Sequence, residues 1–185
     1  TTIGTNQGKG LKLVTDGSNF LVVWADLNGN LLGARVRADG VLLDAPPTTG
    51  AIALGKGAST GGTFDGTNYF IASSYMSSIH GHRIRPADGA LLDGLGGIAI
   101  ADVPGLYSPP DVSFDGTNEL VVWDDPRSLS HTDIYGARVR PADGALLDGP
   151  SSSAGFPIEV SEIIARNPRV LSAGGRSLVV YEDVI

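Results

Sequence analysis

Short apolar runs recur along this chain at a nearly fixed interval: LVVW at 21–24, YFIA at 69–72, LVVW at 120–123 and LVVY at 178–181. Each follows a turn pair, Asp16-Gly17, Asp65-Gly66, Asp115-Gly116 or the altered Gly174-Gly175. Apolarity at consecutive rather than alternating positions predicts strands covered on both faces. The Val, Ile, Phe, Tyr and Trp content favours strands, and Asp-Gly supplies the positive φ that tight hairpins demand. No stretch sustains a 3.6-residue period over three turns. The pattern predicts an all-β protein.

Two further signatures keep step with the first. GARVR at 33–37, GHRIR at 81–85 and GARVR at 136–140 precede ADGVLLD at 38–44, ADGALLD at 87–93 and ADGALLD at 142–148. Three signatures in one order, with a period near fifty residues, point to a stacked or radial array. Each unit reads as four short strands. In the third unit strand a is 109–116, strand b 119–125 and strand c 133–141, with strand d after the ADG turn. A four-stranded antiparallel sheet covered on both faces and repeated in this way describes a β-propeller blade. A β-sandwich or β-prism uses similar strands.

The expected organisation is a single four-bladed propeller. Residues 1–9 are the closing strand, 10–57 blade 1, 58–107 blade 2, 108–166 blade 3 and 167–185 a partial blade 4. The last blade lacks a strand c. The rival arrangements are a piece of a larger propeller, or two chains joining through their incomplete blades.

Composition narrows the partners. The 185 residues are 42% apolar, enough for a sizeable core, and 26 glycines and 11 prolines suit a chain of many turns. A formal charge of −7 argues against nucleic acid or an anionic membrane. No apolar run approaches the length of a membrane span. With no cysteine there is neither a disulfide nor a thiolate metal site. A start at Thr1 suits a processed secreted protein and an excised segment equally.

Candidate chemistry collects where a unit departs from the others. In the first, Asp26, Asn28 and Asn30 alternate oxygen donors as a calcium loop does, although an Asn-Gly hairpin turn explains them too. In the second, Ser73 stands where the others carry Trp24, Trp123 or Tyr181, and Tyr75 stands where they carry Asp26, Asp125 or Asp183. His80 and His82 follow as an HxH pair that suits zinc or copper, or simply packs at the rim. This unit is the favoured ligand site. In the third, Asp124, Asp125, Arg127, His131 and Asp133 crowd the longest b–c connection, as acid–base or cation-binding groups would. The structural reading is one Arg–Asp bridge per blade, pairing Asp26, Asp125 and Asp183 with the series Arg35, Arg83 and Arg138 and leaving Arg83 facing Tyr75. Among the connecting loops, Tyr107 beside Pro109 and Pro110 is placed to stack on a sugar ring, or to cover a blade junction.

With FDGTNELVVWDD, DIYGARV and PADGALLD side by side, nearly the whole chain resembles a class of bacterial secreted or cell-surface repeats read as propeller-like. The resemblance implies the fold and an extracellular or surface location, and no particular activity. Sialidase Asp boxes and WD-repeat motifs are missing. The expected function is a non-catalytic binding module, most plausibly lectin-like, with carbohydrate or a protein surface as partner, Tyr75, His80, His82, Tyr107, Asp124, Arg127 and His131 as ligand contacts, and no obligatory cofactor. A protein-interaction scaffold, self-associating through the incomplete blade, is one alternative. A hydrolase working through the acidic cluster of the third unit is the other.

Overall fold

The computed structural model describes residues 10–44, 51–102, 109–128, 131–151 and 155–184. The closing strand expected over residues 1–9 lies outside them, as does Tyr107.

Fourteen strands form among the described residues. The first sheet is β1 (Lys12–Thr15), β2 (Asn19–Ala25), β3 (Asn30–Arg37) and β4 (Ile52–Lys56). The second is β5 (Ser59–Phe64), β6 (Tyr69–Tyr75), β7 (Ser78–Ile84) and β8 (Ile98–Asp102). The third is β9 (Asp111–Phe114), β10 (Glu119–Asp125), β11 (Asp133–Val139) and β12 (Phe156–Glu159). The last has two strands, β13 (Ile164–Ala173) and β14 (Arg176–Val184). Within each sheet, strands adjacent in sequence pair antiparallel.

The hairpins form where the Asp-Gly turns stand. Asp65 Oδ1 accepts the amides of Thr67 and Asn68, and Asp115 Oδ1 those of Thr117 and Asn118, while Gly66 and Gly116 take φ of 93° and 98°. The first strands of the four sheets, β1, β5, β9 and β13, neighbour one another in turn. Asp111 ties them together: its carboxylate meets Lys12 Nζ at 3.7 Å and accepts the Val170 amide at 3.0 Å. The architecture is all-β and propeller-like.

The core lies in the seams between sheets. Val14, Leu21, Leu31 and Leu54 of the first sheet meet Tyr69, Ile71 and Ile84 of the second. Phe70, Ala72, Ile79 and Ile100 of the second meet Val112, Val121, Trp123, Ala137 and Val139 of the third. β6 and β10 are covered on both faces, as their continuous apolarity predicts. β14 departs from that expectation: among the described residues its sheet is the last, and on its outer face Leu178 is 69% and Val180 54% exposed.

Two other expectations are corrected. The ADG segments do not begin strand d; each makes a turn and a single bridge, Val36↔Leu42, Ile84↔Leu91 or Val139↔Leu146. The fourth strands β4, β8 and β12 come from stretches that read as connecting loops. Nor does the Arg series pair with Asp26, Asp125 and Asp183. Arg35 stands opposite Leu21, five residues from Asp26, which is about 15 Å along a strand.

The partner of each Arg is instead the last residue of its own ADG motif. Arg35 holds Asp44, Arg83 holds Asp93 and Arg138 holds Asp148, with guanidinium–carboxylate contacts of 2.6, 2.5 and 2.6 Å. In each the same carboxylate also accepts the arginine's backbone amide. The remaining guanidinium arm crosses the seam: Arg35 Nη1 donates to the Pro86 carbonyl at 2.8 Å and Arg83 Nη1 to the Pro141 carbonyl at 2.9 Å. So Arg83 keeps an acid, and Arg35 and Arg83 each join their own turn to the next sheet.

Candidate functional site

The departures of the second unit converge on one cleft. β6 and β7 pair with Ser73 opposite His80, Ile71 opposite His82 and Tyr75 opposite Ser78. Directly paired residues share a face, and so do residues two apart. Ser73, Tyr75, His80 and His82 therefore all face the first sheet, alongside Ile71 in the core. Where they meet it, a cleft of about 450 Å³ is lined by Gly55, Lys56, Tyr75, His80, His82, Leu95 and Gly96.

Beside this cleft the second sheet lacks an indole that its neighbour carries. At the equivalent place in the third sheet, Trp123 is fully buried opposite Tyr135 and faces the second sheet. Its Nε1 donates to Asp125 Oδ2 at 2.9 Å, and Arg127 donates to the same oxygen at 2.5 Å while lying 3.8 Å over the Tyr135 ring. In the second sheet Ser73, Tyr75 and His80 take the places of Trp123, Asp125 and Tyr135. The indole and its carboxylate partner are gone from this wall.

The polar groups left around that space are underused. The Ser73 hydroxyl is buried without a hydrogen-bond partner. His82 is 1% exposed and neither ring nitrogen has one. Burial first, then the neighbouring His80, lowers its pKa to about 4 against a weaker opposing pull from Asp93, so the imidazole is neutral at physiological pH. A neutral imidazole presents one donor and one acceptor. His80 Nδ1 lies 2.9 Å from the Gly96 carbonyl. A carbonyl only accepts, so Nδ1 carries the proton in that contact and Nε2 presents a lone pair when the ring is neutral.

The mouth is framed by the first sheet. Lys56 Nζ donates to the Asn28 carbonyl at 3.1 Å and to Asn30 Oδ1 at 2.8 Å. Gly55 has φ +100° and passes so close to the Leu95 carbonyl that a Cβ there would collide with it. The Asn28–Gly29 turn abuts the Tyr75 ring.

That turn also accounts for the calcium-like pattern. Asp26 Oδ1 accepts the amides of Asn28 and Asn30, each at 2.8 Å, and Oδ2 accepts Asn30 Nδ2 at 2.7 Å. Those bonds hold the Asp26 carboxyl below its ordinary pKa. The oxygens that suggest calcium are thus engaged by the hairpin's own amides and by the Lys56 ammonium. Among the described residues, no three His, Asp or Glu side chains are grouped to hold a metal.

The acidic cluster of the third unit is not one site. Asp124 and Asp125 are consecutive in β10, so their side chains leave opposite faces of the sheet. Both are fully buried. Asp125 is spent on Trp123 and Arg127, and Asp133 lies 3.3 Å from His131 Nε2. Acid–base glycoside cleavage needs two carboxyls facing one opening, which Asp124 and Asp125 do not provide.

Sequence reasoning singles out Tyr75, His80 and His82, which meet at one cleft, but not Lys56, Gly55, Leu95 or Gly96. Those four belong to β4 and to the turn before β8, both read as loop. It also passes over Glu119, which stands where the other units carry Phe20 and Tyr69.

No protein-family model and no characterised protein matches the chain by sequence. By shape it is similar to the α-L-arabinofuranosidase CtGH43 from Clostridium thermocellum, at 12% identity and a TM-score of 0.52 over 97% of this chain. It also resembles TolB from Acinetobacter baumannii, at 13% identity and 0.48 over 97%, and the GH43 protein BlXynB from Bacillus licheniformis, at 14% and 0.47 over 95%. The chain spans 61%, 41% and 37% of those proteins. The likeness to CtGH43 is one of fold, and it corrects the expectation of a non-catalytic module: this architecture is one in which an enzyme is built.

Proposed function

We propose that the cleft between the first and second sheets is a carbohydrate site. The observation that carries this reading is the set of orphaned groups left where the indole is missing. Ser73 Oγ and the two His82 nitrogens each need partners, and together they offer donors and acceptors. A polyol hydroxyl is both donor and acceptor, so a sugar satisfies such a set where a simple anion or an apolar ligand does not. Tyr75 at the mouth supplies the flat apolar surface on which a pyranose or furanose face stacks. The resemblance to secreted and surface repeats suits a glycan met outside the cell.

The test is calorimetric titration of the 185-residue chain with a panel of pentoses, hexoses and their short oligomers, with reducing-sugar release measured on the same samples. Binding that falls at least tenfold in both Tyr75→Ala and Ser73→Trp, with circular dichroism unchanged, supports the site; release of sugar makes it an active site. Folded wild-type protein that binds no member of the panel removes the reading.

A second reading, a protein-interaction scaffold, rests on a different observation. The outward faces of the first and last sheets are apolar: Leu11 is 77% and Leu13 59% exposed on one, Leu171 75% and Leu178 69% on the other. Such faces suit closure of the ring on itself or burial against a partner. Sedimentation velocity across a hundredfold concentration range separates self-association from a monomer.

A further inference from the structure

We propose that the seam between the second and third sheets binds a hard divalent cation of the calcium class between Asp65 and Glu119. At the preceding seam Tyr69, fully buried at the start of β6, donates its hydroxyl to Asp16 Oδ2 at 2.7 Å and closes the seam with a hydroxyl–carboxylate hydrogen bond. One unit later the aspartate recurs as Asp65, but the tyrosine has become Glu119. Glu119 makes no hydrogen bond to Asp65 in place of the Tyr69–Asp16 bond, so the repeat's own solution is not reproduced here.

What remains is a set of unpartnered oxygens. Glu119 is fully buried, and neither Oε1 nor Oε2 has a hydrogen-bond partner. Asp65 Oδ1 is committed to its turn, while Oδ2 is buried without a partner. Glu119 stands opposite Phe114 on β9 and Val139 on β11, on the face that meets the second sheet. A cleft of about 480 Å³ is lined by Asp65, Thr67, Asn68, Phe114 and Thr117 together with Arg83 and Arg140, whose guanidinium groups are engaged by Asp93 and Asp143.

Three unpartnered carboxylate oxygens, one from the turn before β6 and two from the start of β10, are the beginnings of an oxygen shell. Calcium takes six to eight oxygens at about 2.3–2.6 Å in irregular geometry, mixing carboxylates, hydroxyls and water. Magnesium demands near-octahedral order and dehydrates reluctantly, so it fits this seam less well.

The experiment is thermal unfolding of the whole chain at pH 8.5 in EDTA and in calcium, magnesium or manganese, for wild type, Glu119→Gln and Glu119→Tyr. Calcium titration by calorimetry gives the stoichiometry. The expected result is one calcium per chain and a rise in Tm of about 5 °C or more at a hundredfold excess over Kd. That rise disappears in both variants. Glu119→Tyr, which restores the Tyr69 arrangement, is also expected to melt higher than wild type in EDTA. A wild-type Tm that no divalent ion moves overturns the proposal, with a shared proton or water then bridging the seam. A calcium shift that survives in Glu119→Gln and Glu119→Tyr overturns it equally, because the ion then sits elsewhere.

Discussion

At the first seam the wall of the second sheet carries Ser73, Tyr75 and His80 facing its neighbour; at the next, the same repeat positions carry Trp123, Asp125 and Tyr135. One wall is hollow with orphaned hydrogen-bonding groups, and the other is filled by an indole whose N–H is itself satisfied. The difference reverses at the hairpin end of the sheets. There the first seam is closed by the Tyr69–Asp16 bond, and the second is left with Glu119 and Asp65. Each seam thus has one tight end and one polar opening, at opposite ends of the sheets. A repeat keeps its strands through backbone pairing and its core through a few buried positions. Site chemistry can then vary one position at a time at a seam without disturbing either.

The largest effect expected from this comparison comes from making the second seam like the first. Trp123→Ser removes a fully buried indole and strips Asp125 of a donor. It should cost about 3–5 kcal/mol in chemical denaturation and open a second cleft.

Next come the arginines that cross the seams. Arg83 has a side chain 10% exposed, pairs with Asp93 and reaches Pro141; in Arg138 the side chain is 48% exposed. Arg83→Ala should cost about 3 kcal/mol because it leaves Asp93 buried and unpaired, whereas Arg138→Ala should cost less than about 1 kcal/mol. Denaturant midpoints of the two variants, compared directly, check the ratio. Equal losses would mean that seam burial is not what gives the staple its value.

The pH dependence separates the two polar openings by sign. Glu119 has a raised pKa in the fold, about 8 against an ordinary 4.5, so the native state holds more protons than the unfolded chain between those values. Stability from this group is full below pH 4.5 and is lost as pH rises through 8. His82 has a lowered pKa, about 4 against 6.5. Its contribution is present above 6.5 and is lost as pH falls through 4. Tm measured against pH without divalent ions should fall on both sides of an interval near pH 4.5–6.5. Glu119→Gln should flatten the alkaline side alone. The smallest effect belongs to Arg85→Ala, whose pair with Asp88 is half-exposed on a turn; its Tm should match wild type.

The strands next to the Asp-Gly turns are legible because the turn residues and the apolar runs carry a local signal. Strand d is not, since IALGK, IAIAD and FPIE are short and pair through a bulge, and the preceding ADG motif looks like the better hairpin. Equivalent positions across repeats show that Arg35, Arg83 and Arg138 share a role, but not which acid each meets. Both acid series repeat with the same period, and only the register of β2 with β3 excludes Asp26. Ser73 and Tyr75 are visible as departures from the repeat. Glu119 is equally visible beside Phe20 and Tyr69, yet a surface-type residue at the start of a strand gives no hint that a neighbouring sheet will cover it.

The arginine staple gives the array a direction. The first and second units each supply the guanidinium and the acid that holds it, while the following unit supplies only a backbone carbonyl, at Pro86 or Pro141. The two sides of a junction are therefore unlike, as donor and receiver. A whole unit can be duplicated or lost by recombination and every surviving junction still matches. A break between an arginine and its acid, as between Arg35 and Asp44, parts the pair and leaves a receiver without a held donor. The fifty-residue period is accordingly the smallest segment that can be added to this chain without leaving a charge stranded in a seam.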